Sequence, residues 1–224
     1  MSPPVPRPFP RFIADSPQER KPYGRFEERL RERFVKACDP HGGEAGARLD
    51  PETIKWFPDR GWGGRVYVPA TGRAVQPVAT QSGDGEENPG SSPVEYFGWI
   101  SFERPEDGEP SNLRANADFT DVTAEDNPHW KIDISDDVIG AWRADGERGG
   151  DITLVWGLPL VRGAIAVTAE LDDEVLDQAA VQDGRFTLVA VDAVRGFGDD
   201  LYLEVKLWDG TLRQIASESL YDEG

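Results

Sequence analysis

Residues 201–208, LYLEVKLW, alternate without a break: Leu201, Leu203, Val205 and Leu207 fall on one side, Tyr202, Glu204, Lys206 and Trp208 on the other. A period of two belongs to an extended backbone, and its apolar/polar split is that of a half-buried antiparallel strand. Asp209-Gly210 follows and supplies a two-residue hairpin turn, because that dipeptide tolerates positive φ. Gln182-Asp183-Gly184 makes a similar turn ahead of RFTLVAV. Further strand-like runs are RVYVP, VEYFGWISFE, LRANADFTDVT, HWKIDISDDVIGAWRA, DITLVWGLPLV, GAIAVTAEL and TLRQIASESL. About nine strands at short spacing predict a mainly β protein, an antiparallel β-sandwich or open barrel. DDEVLDQAAV fits either a strand and turn or one helical turn.

The period changes only near the N-terminus. Phe26, Leu30, Phe34 and Cys38 recur every four residues in GRFEERLRERFVKAC, with Ala37 widening the stripe, which predicts an amphipathic helix over 25–38. Glu27 with Arg31 and Glu32 with Lys36 are i,i+4 pairs in the favoured orientation. Pro40 and Gly42-Gly43 stop the helix. Asp50 caps a second, short helix with Pro51 at its first position, running to about Phe57.

Residues 1–22 form a Pro-rich extended arm. Prolines at 3, 4, 6, 8, 10, 17 and 22 forbid a helix and favour polyproline II. Val5, Phe9, Phe12 and Ile13 are too apolar for a solubilising tail, and Arg7 and Arg11 lie between them, so the arm is expected to dock on a protein surface. The expected organisation is then a small lobe over 23–80, a polar Gly/Pro/Ser loop over 81–93 and an acidic antiparallel β domain over 94–224.

WFPDRGWGGRVYVP, residues 56–69, tests for a phosphate site. Glycines that cradle phosphate follow a strand and open a helix, so that backbone N–H groups and the helix dipole meet the anion. Here they precede a strand, and the spacing is neither G-x-G-x-x-G nor a Walker A. The glycines make a tight entry to RVYVP. Trp56, Phe57, Trp62 and Tyr67 are expected to form a local aromatic cluster. Trp56, Trp62 and Tyr67 are also candidate interaction residues, able to stack on a sugar, a peptide or a partner.

No constellation of catalytic chemistry emerges. Cys38 and His41 have the spacing of half a metal site, and His129 is the one further histidine. Acidic groups at 133, 136–137, 172–174 and 199–200 lack the one-residue spacing and glycine of an EF-hand loop. G-x-S-x-G, H-E-x-x-H and S-x-x-K are absent. The expectation is therefore no enzyme, no cofactor, and no metal or catalytic residue.

Charge bears on partners. Residues 1–80 hold fourteen Lys/Arg against ten Asp/Glu, and the remainder ten against thirty-two, for a net charge of −18. An acidic body repels nucleic-acid phosphates and anionic lipid. No apolar run is long enough for a transmembrane helix, and MSPPVPRPFPRF lacks the apolar core of a secretory signal. A single cysteine fits a reducing compartment. These features predict a cytoplasmic, prokaryotic protein with no nucleic-acid partner and no membrane insertion; salt adaptation or an Arg-rich genome also accounts for much of the acidity.

QDGRFTLVAV, followed one strand later by LYLEVKLWDG, resembles the small transthyretin-like or carboxypeptidase-regulatory β-sandwiches. The resemblance covers about a fifth of the chain, implies a non-catalytic sandwich module and transfers no site residues. The expected function is a structural or protein-interaction component of a larger assembly, with a protein partner or homo-oligomer. A carbohydrate- or Ca²⁺-binding sandwich stands second, and a hydrolase using paired carboxylates third.

Overall fold

The computed structural model describes residues 26–41, 48–75, 94–104, 109–143, 149–172, 174–191 and 203–220. The arm and the 81–93 loop lie outside them. The chain is mainly β, and among the described residues there is one α-helix and every strand pairing is antiparallel. The described residues divide into two compact units, 26–129 and 130–220. Strands before and after the 81–93 stretch pair within one sheet, Arg65–Arg73 with Glu95–Glu103.

In the first unit the helix α1 (Glu27–Cys38) packs on a sheet whose spine is β4 (Arg65–Val75). β5 (Glu95–Glu103) pairs with one edge of β4 from Arg65↔Glu103 to Arg73↔Glu95, and β6 (Ser111–Thr120) pairs with β5. The other edge of β4 is served in pieces. β1 (Arg48–Leu49), β2 (Lys55–Trp56) and β3 (Arg60–Trp62) pair with it in turn. The helix expected after Asp50 shrinks to one 3₁₀ turn, Pro51–Thr53, whose Glu52 N–H donates to Asp50 Oδ1 at 3.0 Å. Extended pairing with β4 takes over at Lys55, two residues short of the expected helix end.

The apolar stripe of α1 enters the core as its period requires. Leu30, Phe34 and Cys38 are buried against Val68, Ala70, Ile100 and Phe102. Burying one such large side chain is worth about 1.5–3 kcal/mol. Phe26 meets Phe102 edge-on with ring centroids 5.3 Å apart. Gly63-Gly64 form the two-residue turn between β3 and β4, with φ of +57° and +76°. That turn needs positive φ at both positions, which explains the paired glycines without a phosphate.

The second unit is a sandwich of two sheets. One has the order β10-β9-β12-β13, from β9 (Ala166–Leu171), β10 (Glu174–Ala180), β12 (Leu203–Trp208) and β13 (Gln214–Ser219). The other has the order β11-β8-β7, from β7 (Ile132–Arg143), β8 (Gly149–Pro159) and β11 (Phe186–Val191). Val167, Ala169, Leu188, Val205 and Leu207 belong to the core between them. The ambiguous DDEVLDQAAV is strand β10, hydrogen-bonded to β9.

Two turns differ in kind. Asp183-Gly184 closes a two-residue turn with both φ positive, as its sequence demands. Asp209-Gly210 does not. Asp209 and Arg213 close a wider loop of Gly210, Thr211 and Leu212, and the positive φ, +61°, falls on Leu212. The register shift between Leu207 and Trp208 accommodates it. Loops of this length normally place glycine at that position.

β12 corrects a second expectation. Leu203, Val205 and Leu207 are buried as predicted, but Lys206 and Trp208 on the opposite side are buried too. β12 lies between β9 and β13, inside its sheet rather than at an edge. In β8 the run Ile152–Gly157 is likewise buried continuously. A Cβ built on Gly157 would lie 2.2 Å from Asp133 O and 2.8 Å from Phe186 Cζ. Gly157→Ala is therefore expected to lower unfolding stability by about 2 kcal/mol or more, measured by urea titration, because backbone and a buried ring must both shift.

Candidate functional site

The helix α1 exposes three cations and two carboxylates, Glu28 and Glu32. Arg29, Arg33 and Lys36 stand at i, i+4 and i+7, and this spacing puts all three on one stripe of the helix. With Glu32 and with Leu113 of β6 they line an open depression of about 350 Å³. Among the described residues none of the three closes a salt bridge, whereas Arg31, on the flank of the stripe, is 3.2 Å from Glu27. The Arg29 guanidinium lies 5.0 Å from the centre of the Phe26 ring, which holds its stem against the helix. Three cations, the Glu32 carboxylate and the half-buried Leu113 therefore share this surface.

The sequence-selected aromatics separate. Trp56 pairs across from Ala70 and packs with the helix core, its ring 6.1 Å from Phe34. Trp62 stands opposite Arg65 beside the Gly63-Gly64 turn and is 37% exposed. Tyr67 is buried and meets Trp99 edge-on at 5.4 Å. The expected single cluster does not form, because strand alternation sends Trp56 to the face of Ala70 and Trp62 and Tyr67 to the other. Of these selected aromatics, Trp62 is the exposed one. Val5, Arg7, Phe9, Arg11, Phe12 and Ile13 lie outside the described residues.

Arg65 escaped the sequence reading. Its Nε and Nη2 donate to Ser101 Oγ at 3.1 and 3.0 Å, Nη2 also to Asn112 O at 2.7 Å, and Nη1 to Glu103 Oε1 at 3.1 Å. It clamps β4 to β5 and β6 where their register shifts between Ser101 and Glu103.

A second polar arrangement runs across β9 and β12, on the face away from their shared core. Trp208 Nε1 donates to Thr168 Oγ1 at 2.9 Å, and Thr168 Oγ1 donates to Glu170 Oε1 at 2.7 Å. Lys206 Nζ lies 2.7 Å from Glu170 Oε2 and 2.9 Å from Glu204 Oε2. Strand register brings the groups together, since Lys206 faces Thr168 and Glu204 faces Glu170. Burial pulls the Lys206 pKa down, but its hydrogen bonds to Glu170 and Glu204 outweigh that, so the ammonium is held above its ordinary range. The alternating polar residues of LYLEVKLW were the available signal.

Two further groups are chemically quiet. Burial, then the neighbouring Asp39 charge, pushes the Cys38 thiol up to about 12, so it stays protonated at neutral pH and is no nucleophile. Asp209 accepts hydrogen bonds from Thr211 Oγ1 and from the N–H groups of Arg213 and Thr211, which hold its carboxyl at about 2. Its support for the loop is complete above the ordinary value of 3.8 and fades as pH falls through about 2. Among the described residues no three His, Cys, Asp or Glu side chains converge to hold a metal ion, and no helix is long and apolar enough to cross a membrane.

Comparison with known protein families, with curated proteins and with solved structures gives no match to this chain. The transthyretin-like resemblance therefore stands on its two strand segments alone.

The Lys206 cluster generates a stability test. Lys206→Met leaves Glu170, 5% exposed, without its cation, and is expected to cost about 3–5 kcal/mol in chemical denaturation. Combining it with Glu170→Leu is expected to recover most of that loss, because both charges then leave the buried face. Since the folded-state pKa of Lys206 is raised, its contribution is complete below the ordinary value of 10.5 and disappears as pH rises through the higher folded value. The parent is therefore expected to lose stability at alkaline pH more steeply than the double variant.

Proposed function

We propose that this chain is a non-catalytic protein-interaction component of a larger assembly, and that the basic stripe of α1 is one of its docking faces. The observation that carries the reading is the stripe itself: three exposed cations with one carboxylate, Glu32, around Leu113, on a chain of net charge −18. Elsewhere the acidity favours repulsion between copies and from nucleic acid, so an exposed cationic face selects an acidic protein surface. The arm supplies a second docking element. Its prolines restrict the unbound chain, so less entropy is lost on docking, and Val5, Phe9, Phe12 and Ile13 can fill pockets while Arg7 and Arg11 pair with carboxylates. Trp62 adds an exposed ring. Placement in a prokaryotic cytoplasm is part of the same proposal and rests on Cys38 being the single cysteine and on the Arg-rich composition.

The test is light scattering of the full chain at low and high salt, beside a variant lacking residues 2–22 and an Arg29→Glu/Arg33→Glu/Lys36→Glu triple variant. Association that salt weakens, and that both changes reduce, is the expected result, because screening and charge reversal remove the same attraction. Calorimetry with Ca²⁺ and a glycan panel runs alongside. Saturable binding of either ligand by monomer, with no self-association in any form, would overturn the proposal in favour of a ligand-binding sandwich.

A further inference from the structure

The apolar clusters of the two units leave one buried group unused. Ile152, Leu154 and Trp156 of β8 and Val189 of β11 are buried, Trp156 at 0% exposure, yet they belong to neither cluster. Alternation explains why. Val155 and, across from it, Leu188 point into the core of the second unit, so Leu154, Trp156 and Val189 stand on the opposite face of their sheet. Register sets Thr187 beside Trp156, and it sets Asp133 and Asp137 of β7 beside Leu158 and Leu154 on that same face. Trp156 Nε1 and Thr187 Oγ1 are buried there, and among the described residues neither has a hydrogen-bond partner. A buried apolar face has a cover, and buried donors call for acceptors in it.

The sequence selects the cover. Of the stretches outside the described residues, only 1–25 and 192–202 carry more than one large apolar side chain. Residues 192–202 hold three aspartates against one arginine and would set acid against Asp133 and Asp137, whereas residues 1–22 hold four basic groups against two acidic. Period decides further. Pro3, Pro6, Phe9 and Phe12 recur every three residues, the repeat of polyproline II, so an extended arm carries all four on one row. That row reaches about 28 Å, against about 13 Å from Ile152 to Trp156 along β8. Polyproline II carbonyls have no internal partners and are open to an indole N–H or a hydroxyl, and Pro-rich segments in this form dock on aromatic surfaces. Trp156 is buried within a single chain, so the cover is the chain's own. We propose that the Pro3/Pro6/Phe9/Phe12 row of the arm lies on the outer face of β8 and β11 of its own chain and accepts from Trp156 Nε1. Arg7 and Arg11 then fall one on each of the other two rows, one toward the β7 aspartates and one outward. The inference rests on the reading of the arm as a docking element and names the surface that it takes.

Hydroxyl-radical footprinting of the full chain, read by mass spectrometry, tests the cover. Trp156 is expected to be oxidised about tenfold faster in a variant lacking residues 2–22 and in Phe9→Ala/Phe12→Ala, while Trp208, buried in the separate Lys206 cluster, keeps its parent rate. A peptide of residues 2–16 added to the shortened chain is expected to restore the protection. Its Arg7→Glu/Arg11→Glu form is expected to bind about tenfold more weakly at low salt. Trp156 as slow without the arm as with it would overturn the proposal. A second measurement leaves the arm in place. p-Benzoylphenylalanine at position 9 or 12 of the full chain is expected to cross-link to 149–159 or 186–191, and cross-links to other segments would overturn the proposal whatever the footprint. In an equal mixture of isotopically heavy and light chains, the products are expected to be within one chain. Mixed products would overturn docking within the chain while leaving the arm as a link between copies. Conversely, an arm found on this face of a protein that never associates would sink the assembly reading alone.

Discussion

Backbone hydrogen bonding along two long strands governs both units. β4 and β8 each run for eleven residues, and strands of that length leave a row of N–H and C=O groups on each edge. Buried groups of this kind must be paired. β8 takes β7 on one side and β11 on the other. β4 takes β5 on one side, but no single strand covers the other. Its free edge is filled by β1, β2 and β3 in turn, with the Asp50-capped 3₁₀ turn between β1 and β2, and with Phe57 N–H donating to Pro69 O at 2.9 Å between β2 and β3. The helix docks on a sheet already completed in this way.

Burial on both sides of a sheet sets the second demand. A strand interior to its sheet and covered on its outer side cannot leave lysine and glutamate to water. Glu170, Lys206 and Thr168 answer by satisfying one another, with Trp208 supplying the last donor. Each group finds its partner on the neighbouring strand or two residues along its own, so a slip of one residue in the β9–β12 register would break the whole set. The cluster thus selects a register as well as neutralising charge.

Much of this was legible. The four-residue recurrence of Leu30, Phe34 and Cys38 located α1 to within two residues at its start, and alternation located the strands. Local chemistry sufficed at Gly63-Gly64 and at Asp183-Gly184, where both residues need positive φ. It failed at Asp209-Gly210, where an aspartate that could shape a two-residue turn instead accepts bonds from Thr211 and Arg213 and moves the strain to Leu212. The pairing of β4 with β5 across the 81–93 stretch is not written in composition either. The aromatic candidates were chosen by proximity in sequence, whereas strand alternation sorts them by face. The basic stripe at 29, 33 and 36 follows the same helical period as the apolar one.

Cys38 gives the molecule a built-in clock. The thiol sits under α1, 1% exposed, with its ionisation suppressed by burial. A reagent that requires thiolate and access reaches it only when the helix lifts from the sheet. In the regime where closing outpaces labelling, the rate of modification reports the free energy of that opening rather than of global unfolding. One natural cysteine therefore separates the local stability of the helix–sheet contact from that of the sandwich, with no engineered probe.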